Sequence, residues 1–434
     1  IDSPERRDSL LGNLLTLGRE QGVPYKDNLI NMGRTLSFNQ TINTTYSLPI
    51  NKIKLLNWVN ASATYNADFG WRTAALQNTD LGNTINNGQT MQGNATLSFS
   101  QFYKKFKWID KALKPIPPKN LVTKADSTRY DGDGWVVFGK KTGQTLLRWV
   151  VSPQNLNLTY SRNGTTVLPG YRPRTDNFGF DFNYLSPDGR SSMAPGWDVV
   201  LGMQPDLTPN GWFAKARENG WITNSPEMNL PFATTRSEQI TVRALLEPFK
   251  DFKVDINFDR QQQEQRSGLY AFDATTGEYV LSNPSITGNF SMSFLAIGTS
   301  FDGVDTVSKV FQTFAQNRRI ISERLAQANP FYGELVERGL ITGGRAGQVG
   351  YYNGYTGSSQ DVLIPAFLSS YGPYKPGTIP LSAFPQIPLP NWQVNYNGLA
   401  NLEGLKDIFK TITIKHAYRS TYTASYLLNL KALD

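Results

Sequence analysis

The chain lacks the residues on which most catalytic and metal chemistry depends. Its 434 residues include no Cys and a single His. Disulfide scaffolds, thiol chemistry, Cys/His zinc sites and a Ser-His-Asp triad are therefore excluded or nearly so. No run of about 18 or more apolar residues occurs, so transmembrane helices are not expected. A membrane β-barrel stays open, because barrel strands leave a weaker hydropathy trace. Charge is sparse at 18% of residues, with 43 basic against 35 acidic side chains and a net charge of +8. The basic residues are scattered and not interleaved with an aromatic platform, so nucleic acid is not an expected partner; a surface near lipid phosphates accounts for the charge as well. No phosphate loop and no HExxH segment is present. The Asp131-Gly-Asp133-Gly stretch lacks the further carboxylates of a calcium loop and reads as a turn; carboxylate pairs of this kind are too common to indicate a glycosidase. No catalytic residue, cofactor or metal is expected.

What is plentiful points to β-structure. Aromatic residues make up 12%, with 37 Gly and 25 Pro, and mean hydropathy is −0.39. That balance argues against a disordered or coiled-coil chain. Length alone suits about three domains or one large barrel. Ile1 is not an initiator Met, and the first residues, IDSPERRD, carry no apolar signal core, so the chain reads as a mature product or an excised piece of something larger.

The informative feature is a period of two. From 36 to 48 the even positions read Leu36, Phe38, Gln40, Ile42, Thr44, Tyr46, Leu48, against Asn39, Thr41, Asn43 and Thr45 on the odd ones. From 59 to 71 the apolar set is odd (Val59, Ala61, Ala63, Tyr65, Ala67, Phe69, Trp71) and faces Asn60, Ser62 and Thr64. Ala95, Leu97 and Phe99 oppose Asn94, Thr96 and Ser98, and weaker runs follow at 156–160, 178–184, 240–246, 252–258, 392–396 and 412–418. About ten strands emerge this way. A soluble sandwich usually carries Lys, Glu and Arg on its wet face, whereas these wet faces are Asn, Ser and Thr. That pattern suits a barrel with lipid outside and a hydrated lumen inside. The segment 59–71 spans roughly 40 Å at about 3.3 Å per residue, which at a tilt near 40° covers about 30 Å of membrane normal. Trp58, Trp71 and Trp392 fall at strand ends, where an aromatic belt would lie. A β-sandwich or β-helix with Trp at its rims is the other reading of the same pattern. Seven N-x-[ST] sequons, at Asn39, Asn43, Asn60, Asn94, Asn157, Asn163 and Asn289, are read as a by-product of a polar strand face and not as glycosylation sites.

The expected fold is all-β: an antiparallel transmembrane β-barrel wall segment with long extracellular loops, short periplasmic turns and a helical insertion. The organisation reads as an N-terminal helix or linker (1–34), barrel strands (35–104), a periplasmic-type insertion (105–150), barrel strands and loops (151–300), a helical and Pro-rich insertion (301–390) and C-terminal strands (391–434). Short reversals are expected at 49–52, 247–251 and 398–410, and long loops at 73–92, 163–176 and 263–287. Helical spacing covers 307–326, and six prolines over 373–390 predict an extended covering loop. His416 alternates with Ile414 and Tyr418 and is expected in a packed or rim position. One element is missing from this count. If 290–297 descends, the chain must climb again before Trp392, and no convincing strand lies between.

Eight runs carry a family resemblance: LLNWVNASATYNA (55–67), DLGNTINN (80–87), LTYSRNGTTVLPG (158–170), ALLEPFKDFKV (244–254), NRRIISERL (317–325), SSQDVLIPAFLSSY (358–371), IPLPNW (387–392) and KHAYRSTY (415–422). Through most of its length, and in order, the chain resembles the SprA/Sov family of outer-membrane translocons of the type 9 secretion system. Members of that family are several times longer, so the resemblance implies a fragment of a barrel wall. It also implies a protein-conducting pore for folded cargo with type 9 C-terminal signal domains, a link to gliding motility, a PorV-type barrel partner, a plug protein, and location in the bacterial outer membrane beside its lipid and the remainder of the same barrel. It carries over no catalytic residue.

A duct for folded proteins should not grip its passengers. On that argument Asn39, Thr41, Asn43, Thr45, Asn60, Ser62, Thr64, Asn94, Thr96 and Ser98 are expected to line the lumen. Leu36, Phe38, Ile42, Tyr46, Val59, Tyr65, Phe69 and Phe99 are expected to face lipid or a membrane-embedded partner. Two other readings stand beside the translocon: a self-contained outer-membrane porin or receptor barrel, and a secreted β-rich adhesin.

Overall fold

The computed structural model describes residues 35–109, 147, 150–175, 177–186, 188–189, 191–300, 304–329, 351–352, 354–381, 384–401, 404–405 and 407–429. The expected N-terminal helix or linker (1–34), most of the insertion at 105–150 and the Asp131/Asp133 turn lie outside these residues.

The long alternating runs form long antiparallel strands: β1 (Ser37–Leu48), β2 (Val59–Arg72), β3 (Asn83–Ser98), β4 (Pro153–Tyr171), β7 (Phe232–Phe249), β8 (Phe252–Asp273), β9 (Glu278–Ser293), β10 (Asn391–Tyr396), β11 (Ile414–Tyr418) and β12 (Thr421–Asn429). They make one sheet, whose order runs β1-β2-β3-β4-β7-β8 and then divides. One half of β8 pairs with β10 and the other with β9; β11 in turn pairs with β10, and β12 with β9. Among the described residues the sheet is open: β1 pairs only with β2, and the far edge is formed by β11 and β12. A short hairpin of β5 (Asp181–Leu185) and β6 (Ser191–Ala194) forms a separate two-stranded sheet. No helix among the described residues is long and apolar enough to cross a membrane.

The division after β8 resolves the missing strand. Arg260 lies opposite Met292 of β9, and Asn257 lies opposite Asn391 of β10. Both partners occupy the same edge of β8, so β9 and β10 are two halves of one strand position. The chain descends to Ser293, leaves the sheet there, and re-enters at Asn391 on the level where it left. No climbing strand is needed, and among the described residues of 294–390 the only pairing is an isolated bridge between Tyr352 and Tyr355. Seven-residue alternations could not reveal this, because each half of the interrupted strand carries a complete pattern of its own.

Of the three loops expected from Gly, Asn and Asp content, 163–176 and 263–287 are largely strand and 73–92 is strand over its second half. β3 starts at Asn83, β4 runs to Tyr171, and β8 and β9 form a hairpin closed at 274–277. Tertiary pairing overrides weak local propensity here, because backbone groups in a sheet interior must find partners whatever side chains they carry. The long excursion on that rim is instead 172–231. The run at 178–184 is also only part strand: Phe178 adopts a positive φ of 59° and β5 begins at Asp181. The three short reversals all fall on the opposite rim, which they share with the segment following β3.

Helices are few. Phe99–Tyr103 (α1) follows β3, Trp212–Glu218 (α2) lies in the excursion, and Val304–Ala328 (α3) and Gln360–Tyr371 (α4) lie in the insertion. The helical spacing at 307–326 matches α3. The second helix, α4, carries a Pro at its sixth position and is nearly apolar all round, so it shows no amphipathic period to read.

Candidate functional site

The sheet's register sorts its side chains into two faces, because directly paired residues of an antiparallel ladder project to the same side. One row reads Asn43, Asn66, Thr90, Asn163, Ser237, Gln263, Asn289 and Ser425 across the full width. The next row on that face reads Thr45, Thr64, Gln92, Ser161, Gln239, Gln261, Ser291 and Thr423. Both rows are neutral and polar at every position. With strands about 4.8 Å apart, seven intervals make this surface about 34 Å wide. Its side chains bond mainly to one another: Thr41 Oγ1 donates to Asp68 at 2.8 Å, Thr96 Oγ1 to Asn157 at 3.0 Å and Ser425 Oγ to Asn289 at 2.8 Å. Further toward the short-turn rim the polar row is Asn60, Thr96, Asn157, Arg243, Asn257 and Asn391, so charge enters sparingly.

All ten residues expected to line a lumen share this face, and none of them is buried. The seven sequon asparagines share it too, which explains why N-x-[ST] recurs: Asn and Ser/Thr at i and i+2 are neighbours on one wet strand face.

The opposite face carries the apolar set in two different environments, separated on β4, β7 and β8 by the charged and polar side chains of Arg162, Arg236, Glu238, Gln262 and Glu264. Toward the short-turn rim, one row reads Val59, Leu97, Leu156, Ala244, Ile256 and Trp392, and the next Ala61, Ala95, Leu158, Val242 and Phe258. None of these side chains is buried. Toward the other rim the excursion 172–231 folds over the same face. Phe69, Trp71, Ile85, Leu168 and Phe232 pack there beneath Phe180, Val199, Val200, Phe213 and Trp221. Gly202 lies so close to β2 and β3 that a Cβ would sit 2.7 Å from that of Ala67, and its φ is 84°. Only Gly fits both demands. The side chain of Gln204 donates to Asn87, and Asn87 donates to the carbonyl of Val199, so polar pairs stitch the cover to the sheet.

Several expected lipid-facing positions therefore need correction. Phe69 is 2% exposed inside this protein core, and Phe38 packs against the same cluster. Tyr65 donates its hydroxyl to the carbonyl of Leu201 in the cover. Phe99 begins α1 instead of ending a strand. Leu36, just ahead of β1, is exposed, as is Tyr46, while Ile42 and Val59 are half-buried on the apolar face. Trp71 is a core residue and Trp392 stands at the re-entry of the interrupted strand, so of the three belt candidates only Trp58 lies at a rim. His416 is exposed on β11.

The strand interruption is secured by side chains that replace lost ladder bonds. Ser293 Oγ donates to the carbonyl of Leu389 and accepts from the Asp259 backbone N–H at 3.1 Å. Asn391 Oδ1 accepts from the Ser420 N–H at 2.8 Å. The insertion then packs α3 and α4 onto the apolar face: Phe290, Met292 and Tyr422 meet Ile321, Val362, Ala366 and Leu368. Arg260 is buried under it, donating Nε–H to the carbonyl of Pro385 at 3.2 Å and lying over the Phe290 ring. Within α3 and α4, Asn317 donates to Ser369 and Ser370 at 3.0 and 2.9 Å. None of these junction residues was recognisable beforehand, since Ser and Asn at 293 and 391 match the ordinary polar alternation.

Among the described residues no group of three or more His, Cys, Asp or Glu side chains could hold a metal ion. No family model matches the chain, and no curated protein matches it.

Proposed function

We propose that this chain is part of the wall of an outer-membrane protein-conducting channel, of the type 9 secretion class that its sequence resembles, exporting folded cargo and supporting gliding motility. The observation that supports the reading best is the pair of neutral polar rows spanning every strand position, together with the apolar rows that the opposite face carries toward the short-turn rim. A neutral Asn/Ser/Thr/Gln surface offers passing proteins neither dense charge nor apolar adhesion. The apolar rows would meet lipid, as the outward face of a membrane barrel does. In this reading the unpaired edges at β1 and at β11–β12 continue into the remainder of the same barrel, since an open edge in hydrocarbon would leave backbone groups unsatisfied. A PorV-type barrel, a plug protein and cargo with type 9 signal domains are the partners the resemblance brings with it.

These 434 residues contain no Cys, so a label found within them reports the introduced thiol. Single Thr64→Cys and Asn289→Cys variants of the intact protein should react with a water-soluble maleimide and crosslink to arrested cargo. Val242→Cys should react only with a lipid-soluble reagent. Labelling of Val242→Cys from water, or no cargo adduct at either polar position while secretion proceeds, would overturn the proposal.

A further inference from the structure

The rim that bears the short reversals is both aromatic and basic where β1, β2 and β3 end. The link 49–58 and the segment 99–109 meet there. Trp58 stacks its ring at 4.7 Å from that of Phe102 and 5.4 Å from Phe99, and Phe102 contacts Phe106 at 5.1 Å. Lys105 Nζ clamps the two segments together by donating to the carbonyls of Lys54 and Leu55, each at 2.7 Å. Around this clamp large apolar side chains stand in the open: Leu55 is 68% exposed, Trp108 61% and Ile53 54%. Lys52, Lys54, Lys104 and Lys107 are exposed among them, and residues 49–59 and 97–109 contain no Asp or Glu. The cluster is continuous with the bare apolar rows, since Val59 pairs with Leu97 immediately above it and the Ser98 N–H donates to the Trp58 carbonyl at 2.8 Å.

We infer that this rim is a binding surface for anionic phospholipid in the leaflet it meets. The inference rests on the membrane-wall reading. Aromatic side chains favour the headgroup boundary, where one end is apolar and the other wet. Lysines on stretches that carry no Asp or Glu over 49–59 and 97–109 draw anionic headgroups to the same level, and their long stems reach outward past the apolar surface. An uncharged aromatic rim would seat a barrel in any lipid. The lysines add a preference for negative charge that weakens with salt.

Photoactivatable phosphatidylglycerol and phosphatidylethanolamine probes, each in vesicles of phosphatidylethanolamine with phosphatidylglycerol holding the intact protein, distinguish these cases. The phosphatidylglycerol probe should label 52–58 and 99–108 at least about 10-fold more than the other, given a contribution of roughly 5-fold per lysine near a charged surface. That excess should fall with salt and vanish in the variant K52Q/K54Q/K104Q/K107Q, while the corresponding Lys→Arg variant keeps it. Heat-modifiable migration of each variant reports that its barrel has assembled. Equal labelling by the two probes would overturn the inference, as would an excess that the Gln variant retains. So would crosslinks from Leu55 to a protein segment in place of lipid. Absence of lipid labelling on Val242 and Ile256 as well would instead strike the membrane-wall reading itself.

Discussion

The face opposite the neutral rows holds two apolar regions with different fates, parted by Arg162, Arg236, Glu238 and Glu264. At the rim of Phe69, Ile85 and Leu168 it lies beneath the excursion 172–231 and is packed as tightly as a soluble core. At the rim of Val59, Leu97 and Leu156 no described segment buries it. The burial of β4 records the change along a single strand: nothing from Pro153 to Asn163 is buried, and then Gly164, Thr166, Leu168 and Gly170 are buried in alternation. Period-two patterning announces that a face is apolar. It does not say whether protein or lipid covers that face, because both are served by the same residue types.

Truncation in the covered half should produce the largest effect. Trp221→Ala removes a fully buried ring from the core over β2–β4 and should cost about 3–5 kcal/mol. Limited proteolysis should then cut within 172–231 while the strands stay resistant. If the strands became equally sensitive, the two halves would be one cooperative unit and the contrast between them would dissolve.

A charge in the bare half should cost less and depend on the face. On the membrane-wall reading, Phe258→Arg, in the row further from the rim than that of Val59 and Leu97, should destabilise assembly by about 2–4 kcal/mol. Asn257→Arg, one residue along and on the polar face, should stay within about 0.5 kcal/mol. Urea titration of the folded protein in lipid vesicles measures both. Equal costs would remove the distinction between the faces.

The smallest effect concerns the hairpin turn between β8 and β9, beyond either half. Asp273 accepts the Thr275 backbone N–H at 2.8 Å and the Thr276 hydroxyl at 3.1 Å, and the backbone bond foremost holds its carboxyl below the usual range. A carboxyl with a lowered folded pKa stabilises above its unfolded pKa, and that contribution fades as pH falls through the folded value. Hydrogen exchange at the Thr275 amide should therefore show protection, corrected for intrinsic exchange, that declines only at acid pH. Asp273→Asn should flatten that dependence.

Much of the sheet was legible in the sequence. The partition of β1, β2 and β3 into polar and apolar faces follows from strict alternation, and pairing carried it across the sheet unchanged. Loops were less legible, because Gly and Asn in 83–92 and 163–171 weaken local strand preference without preventing a neighbour from pairing there. The cover over Phe69 left little trace, as its short hairpin and its helices Trp197–Val200 and Trp212–Glu218 are too brief to show a period. The interruption at Ser293 and Asn391 left none, since a strand resumed after a long detour looks like two strands.

The sequence by itself determined that this protein has no thiol chemistry, that it is built from alternating strands, and which side chains share a face. Those properties are set by residue type and by the two-residue repeat of a strand, which needs no partner to be defined. Tertiary structure decided which part of the apolar face is protein core, and that 294–390 springs from the middle of a strand. Both depend on contacts between residues far apart in the chain, such as Phe69 with Val200 or Ser293 with Leu389. Local patterning carries no record of them.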